Sequence, residues 1–151
     1  MLSFGGMQGL IKMLMDNSSQ KPHPNLQIIG KFFEAYGHND QKAISEILAE
    51  DIQWHIPGNH PLSGTKTGSH EVLAFFKKLE KGAFKAAPIA SGVNGEYVID
   101  CHKNWSELEG DHQFEGMSCL LWRIQNGKIK EVHNFPEDQN VVDSFFNKVY
   151  G

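Results

Sequence analysis

The sequence predicts an α+β fold in which three N-terminal helices are followed by a strongly bent, mainly antiparallel sheet that wraps around them. Three observations predict it. Apolar residues recur at helical spacing in the stretches around residues 26–36, 40–49 and 69–81, and from about residue 86 the apolar pattern changes to alternation. Asn94-Gly95, Glu109-Gly110-Asp111 and Asn126-Gly127 punctuate that alternating half at hairpin spacing. Asn-Gly suits such turns because both central residues of a type I′ turn need positive φ.

In order, residues 1–24 are expected to be a flexible leader and residues 25–151 a single domain. Leu26, Ile29, Phe32, Phe33 and Tyr36 form one helical face, with Asn25 as its cap and Gly37 as its stop. A shorter helix over Asp40 to Ala49 buries Ala43, Ile44, Ile47 and Leu48. Ile52, Trp54 and Ile56 alternate with Gln53 and His55, a strand that Pro57 and Gly58 terminate. A polar loop carrying His60, Pro61, Ser63 and Gly64 leads to Ser69, placed to cap a third helix that runs to about Lys81. Its apolar side is Val72, Leu73, Phe75, Phe76 and Leu79, and Glu71 sits near the positive end of the helix dipole. Strands over about 86–93, 97–107, 113–125 and 128–135 follow, and Val141, Val142, Phe145, Phe146 and Val149 predict a closing helix.

The 151 residues suffice for one sizeable core. The net charge is -4 and the basic residues are scattered, which argues against nucleic acid or an anionic membrane as partner. No apolar run approaches the ~20 residues that span a bilayer, and nothing in residues 1–20 resembles a secretory signal, so a cytoplasmic protein is expected. Cys101 and Cys119 fit no zinc or redox spacing and read as reduced core thiols.

The strand ending in WHIPG, the loop PLSGTKTG, the helix EVLAFF and the hairpin ending in WRIQNGKIKEVHNF, in that order, resemble the nuclear transport factor 2-like superfamily. Within it the chain is most similar to SnoaL-like proteins, from about Asn25 to Phe146. The resemblance implies a cone-shaped barrel enclosing an apolar pocket for a small, largely apolar molecule, commonly in a homodimer. It leaves activity open, since the fold hosts ketosteroid isomerases, polyketide cyclases, dehydratases and members with no known reaction.

Ketosteroid isomerases use a carboxylate base, a tyrosine and a protonated aspartate. By resemblance those positions fall at Ile56, Phe32 and Leu120, all apolar here. A register slip of one would bring in His55, which can act as a base. The polar candidates lie on the strand over 97–107, where Val98, Asp100, His102, Asn104 and Ser106 share one face. Turned into the cone, that face pairs an imidazole with a carboxylate for acid-base work; turned outward, it is a solvated or dimer-facing surface. Asp100 and His102 are therefore the catalytic candidates.

Ligand-contact candidates are Trp54, His55, Ile56, His60, Phe76, Ser118, Leu120, Trp122 and Asn134. Trp122 is equally a plain core tryptophan, and His60 equally a surface loop residue. On the strand over 128–135 neither Lys130, Val132 and Asn134 nor Glu131, His133 and Phe135 form a clear inner set. A serine triad on Ser63 or Ser118 lacks a nucleophile elbow. His55, His60, Asp100, His102 and His133 show no short ligand spacing, so no metal or cofactor is expected.

Overall fold

The first helix, α1 (Pro24–Gly37), begins with proline in its first turn, where the missing N–H has no helical partner to lose. A computed structural model describes residues 22–110 and 113–151, so most of the expected leader lies outside the described residues. His23, not Asn25, caps α1: its Nδ1 accepts from Asn25 N at 3.1 Å. The Asn25 side chain instead donates to Gly95 O at 2.8 Å, tying the helix to the turn of the first long hairpin.

Asp40 caps α2 (Gln41–Ile47) by accepting from Ala43 N at 3.0 Å. This helix is shorter than expected, because Leu48 and Ala49 already belong to β1 (Leu48–Ile56). The polar loop after Pro57 contains a short strand that alternation did not reveal, β2 (Gly64–Thr67), paired antiparallel with β1. Helix α3 (Gly68–Leu79) starts one residue before Ser69, and Glu71 Oε2 accepts from Thr67 N at 2.7 Å where a serine cap was expected. A 3₁₀ turn (Glu80–Gly82) follows it.

The hairpins are β3 (Phe84–Asn94), β4 (Tyr97–Ser106), β5 (Glu115–Gln125) and β6 (Lys128–Pro136), and α4 (Gln139–Tyr150) closes the chain. The sheet order is β2-β1-β6-β5-β4-β3. Every pairing is antiparallel except β1 with β6, which is parallel and joins the early strand to the last one. Extra residues at Ile89 in β3 and at Lys130 in β6 add local bend, as bulges do.

One face of this sheet carries the core. Ile52, Val98, Trp122 and Val132 are fully buried or nearly so, against Ile29, Phe32, Phe33 and Val72 of the helices. The architecture is thus the expected α+β fold, a curled sheet around helices. Helix α4, capped by Asp138, lays Phe145 and Phe146 over Phe84, with ring centroids 5.6 and 5.4 Å away. Its Tyr150 hydroxyl donates to Leu79 O at 3.1 Å, and burial pushes the phenol's pKa up to about 12. Among the described residues no helix is long and apolar enough to cross a membrane.

Candidate functional site

Where the helices stop short of filling the concave face, a cavity of about 330 Å³ remains between α1, α3, α4 and the sheet. Its wall is aromatic. Phe32, Trp54 and Phe76 line it, and their rings pack with centroids 5.0 to 6.0 Å apart. Trp122 lies behind them, fully buried, with its ring edge-on to Phe32 at 5.0 Å. Such edge-to-face clusters hold their geometry because ring edges are electropositive and faces electronegative.

The polar side comes from β4 and β5. Val98, Asp100 and His102 are buried while Tyr97 and Ile99 are exposed, so the polar face of β4 looks inward and the solvated alternative is excluded. The β4–β5 register places Ser118 opposite His102 and Gly116 opposite Asn104. Asn104 Nδ2 donates to Ser118 Oγ at 3.0 Å, and Ser118 Oγ lies 3.0 Å from His102 Nε2. With one lone pair engaged by Asn104, the serine hydroxyl is free to donate to Nε2. A neutral imidazole then carries its proton on Nδ1, which stands 3.7 Å from Asp100 Oδ2.

Asp100 is wholly buried. Its Oδ1 takes a 3.5 Å bond from Trp122 Nε1, and its Oδ2 has no hydrogen bond among the described residues. Asn104, Ser118, His102 and Asp100 thus form one directional row running from the cavity into the core. The row contains the serine, histidine and aspartate of a triad, which the elbow criterion had set aside. Ser118 sits in mid-strand, paired on both sides, so the nucleophile-elbow geometry is indeed missing.

The loop after β1 presents His60 to the same cavity. Leu62 N donates to its Nδ1 at 3.1 Å, which fixes the proton of the neutral ring on Nε2. That Nε2 is buried and has no hydrogen-bond partner among the described residues. Burial also pulls the His60 pKa below its ordinary value, so the ring is neutral at pH 7. It packs on Phe146 at 4.5 Å. Gly58 makes the loop's approach to α4 feasible: its φ is +103°, and a β-carbon there would run into Gln139 and Asp143. Asn59 N donates to Asp143 Oδ1 at 3.0 Å, fastening the loop to the helix.

The sequence-predicted residues divide by position. Trp54, Ile56, His60, Phe76, His102, Ser118, Leu120 and Asn134 line the cavity, while Asp100 and Trp122 stand behind its wall. His55 does not belong to it. Strand alternation turns His55 to the outer face, away from Trp54 and Ile56, where it bonds Thr65 and Glu131. On β6 the inner set is Val132 and Asn134, with His133 outside.

Tyr36 and Phe146, which the sequence assigns only to apolar helix faces, also line the cavity. Both carry a signal in hindsight, since Tyr36 is one turn beyond Phe32 and Phe146 lies on the apolar face of the closing helix. Phe32, Ile56 and Leu120, the positions aligned with isomerase catalytic groups, all line the cavity as apolar side chains.

The chain belongs to the SnoaL-like domain family, whose family model matches residues 29–132. An uncharacterised protein of Mycobacterium tuberculosis H37Rv is 21% identical over 127 residues, covering 81% of this chain and 95% of that relative. Among solved structures, Bal32a from a soil-derived mobile gene cassette has a TM-score of 0.74 at 23% identity, covering 82% of this chain and 96% of its own. TerC, co-crystallised with polyporic acid, has a TM-score of 0.70 at 18% identity, covering 83% and 99%. These likenesses establish the fold.

Proposed function

We propose that the domain binds one small, largely apolar molecule bearing an acceptor oxygen, and performs acid-base chemistry on it with His102. Isomerisation, cyclisation and dehydration all need a proton moved between two atoms of one substrate, without cofactor. The observation that carries the reading is the row Asn104–Ser118–His102–Asp100 opening into an otherwise apolar cavity. His102 Nε2 can take a substrate proton, directly or through the Ser118 hydroxyl. Asp100 faces the opposite ring nitrogen and stabilises the imidazolium that forms. His60 supplies a fixed neutral donor for the substrate's oxygen, and the aromatic wall supplies the apolar contact area. TerC, which shares the fold, was crystallised with a small molecule, polyporic acid.

The alternative is a non-catalytic shelter for a lipophilic ligand, favoured by the aromatic wall taken alone. Native mass spectrometry of freshly purified protein, with and without an added hydrophobic probe, tests the shared premise. One ligand per chain is expected, and a cavity that arrives empty and takes up no probe refutes both readings. Once a converted substrate is found, His102→Gln should retain binding and lose turnover; full activity in that variant would refute the assignment of His102.

Across the outer sheet face Ile99, Met117 and Phe135 are exposed, around the cross-strand neighbours Cys101 and Cys119, which lie half-buried on this face and not in the core as expected. This apolar row supports the homodimer that the family resemblance implies.

A further inference from the structure

On the outer face, opposite the cavity, three side chains that are far apart in sequence meet. The parallel register of β1 with β6 sets His55 beside His133, and Glu131 lies two residues before His133 on the same side of β6. Their candidate ligand atoms all lie within 4.8 Å of one another. His55 Nε2 is 3.0 Å from Glu131 Oε2, and His133 Nε2 is 3.5 Å from Glu131 Oε1. The two imidazoles stack, with centroids 4.3 Å apart.

We propose that His55, Glu131 and His133 bind a divalent transition-metal ion of the zinc class, with a fourth position open to water or an exogenous ligand. The donor set is two imidazole nitrogens and one carboxylate, which suits Zn²⁺. Tetrahedral bonds of about 2.0–2.1 Å to zinc separate neighbouring donors by roughly 3.3 Å. His55 Nε2 stands near that spacing from one carboxylate oxygen of Glu131, and His133 Nε2 from the other. The candidate donor atoms of His55 and His133 lie within 4.8 Å of each other, and the His133 side chain is 39% exposed.

An independent feature points the same way. His55 Nδ1 lies 2.8 Å from Thr65 Oγ1 of β2. A ligating histidine usually donates its second N–H to such a partner, which fixes the ring and leaves the other nitrogen's lone pair for the ion. Without an ion, the hydrogen bond between His55 Nε2 and Glu131 Oε2 needs a proton between them; an ion takes that proton's place. The trio sits on the β1 side of the apolar row, with side-chain exposures of 28% for His55 and Glu131, so an ion has access from solvent.

Calorimetric titration of the full-length protein with Zn²⁺ tests the proposal, with Co²⁺ absorption as a second readout of coordination geometry. One ion per chain and visible bands of a four-coordinate Co²⁺ site are expected. Glu131→Gln and His133→Ala should each abolish this binding while keeping the wild-type circular dichroism spectrum. Thr65→Val should weaken it by roughly tenfold. His70→Ala, at an exposed position on α3, should change nothing. Absence of one-to-one binding, or equal affinity in wild type, Glu131→Gln and His133→Ala, would overturn the proposal and leave the trio as an ion-pair network.

Discussion

Trp122→Phe probes how the core supports the candidate site, because its indole N–H supplies the one hydrogen bond found to the buried Asp100 among the described residues. Phenylalanine keeps most of the ring and deletes that donor. The lost contact area, roughly 40 Å² at about 25 cal/mol per Å², accounts for about 1 kcal/mol. A buried carboxyl left without a donor adds about 1–3 kcal/mol, for a total of about 2–4 kcal/mol. Asp100→Ala deletes the other partner and leaves the indole N–H unpaired, at a similar cost. The double variant has neither orphan. It should be more stable than the sum of the single effects predicts, by about 1–3 kcal/mol. Urea unfolding followed by far-ultraviolet circular dichroism is the assay, since Trp122 itself reports in fluorescence; unchanged m-values would confirm a common unfolding transition. Additivity within about 0.5 kcal/mol would show that the 3.5 Å contact carries no coupling, and that Asp100 is held by something other than Trp122.

His60 predicts a pH dependence with a definite sign. Its folded pKa lies below the ordinary 6.5, so the unfolded chain binds the proton first as pH falls. Stability should be full above about pH 6.5 and decline below it by up to about 1.4 kcal/mol per pH unit, until the folded ring also protonates. His60→Asn keeps an acceptor for Leu62 N and should flatten the profile just below about pH 6.5; an unchanged slope there would assign the effect elsewhere. For the outer face, sedimentation equilibrium should show a dimer that Ile99→Glu converts to monomer, and a wild-type monomer at high concentration would remove the homodimer.

Much of this architecture was legible because apolar periodicity is a local property. The alternation of Val98, Asp100 and His102 against Tyr97, Ile99 and Cys101 gave the two faces of β4, but parity alone left open which face turned inward. Burial of Val98 beside Trp122 decides it, and that contact depends on how β4 meets α1 rather than on β4 itself. Strand β2 escaped for a related reason: Gly64–Thr67 has no apolar alternation, since its role is to pair an edge of β1 rather than to cover a core. Helix ends shifted where a cap came from an unexpected side chain, His23 for α1 and Glu71 for α3.

The parallel pairing of β1 with β6 was the least legible feature, and the site depends on it most. Hairpin turns announce antiparallel neighbours, whereas a parallel contact between residues about 80 apart leaves no local mark. Its register sets Trp54 beside Val132 on the inner face and His55 beside His133 on the outer one. The first pair backs the cavity wall, and the second brings two imidazoles to one carboxylate. A one-residue slip of β1 along β6 would turn His55 against the core and Trp54 into solvent. The apolar cavity and the outer histidine cluster are therefore two consequences of a single register, which the burial of Ile52, Trp54 and Val132 holds in place.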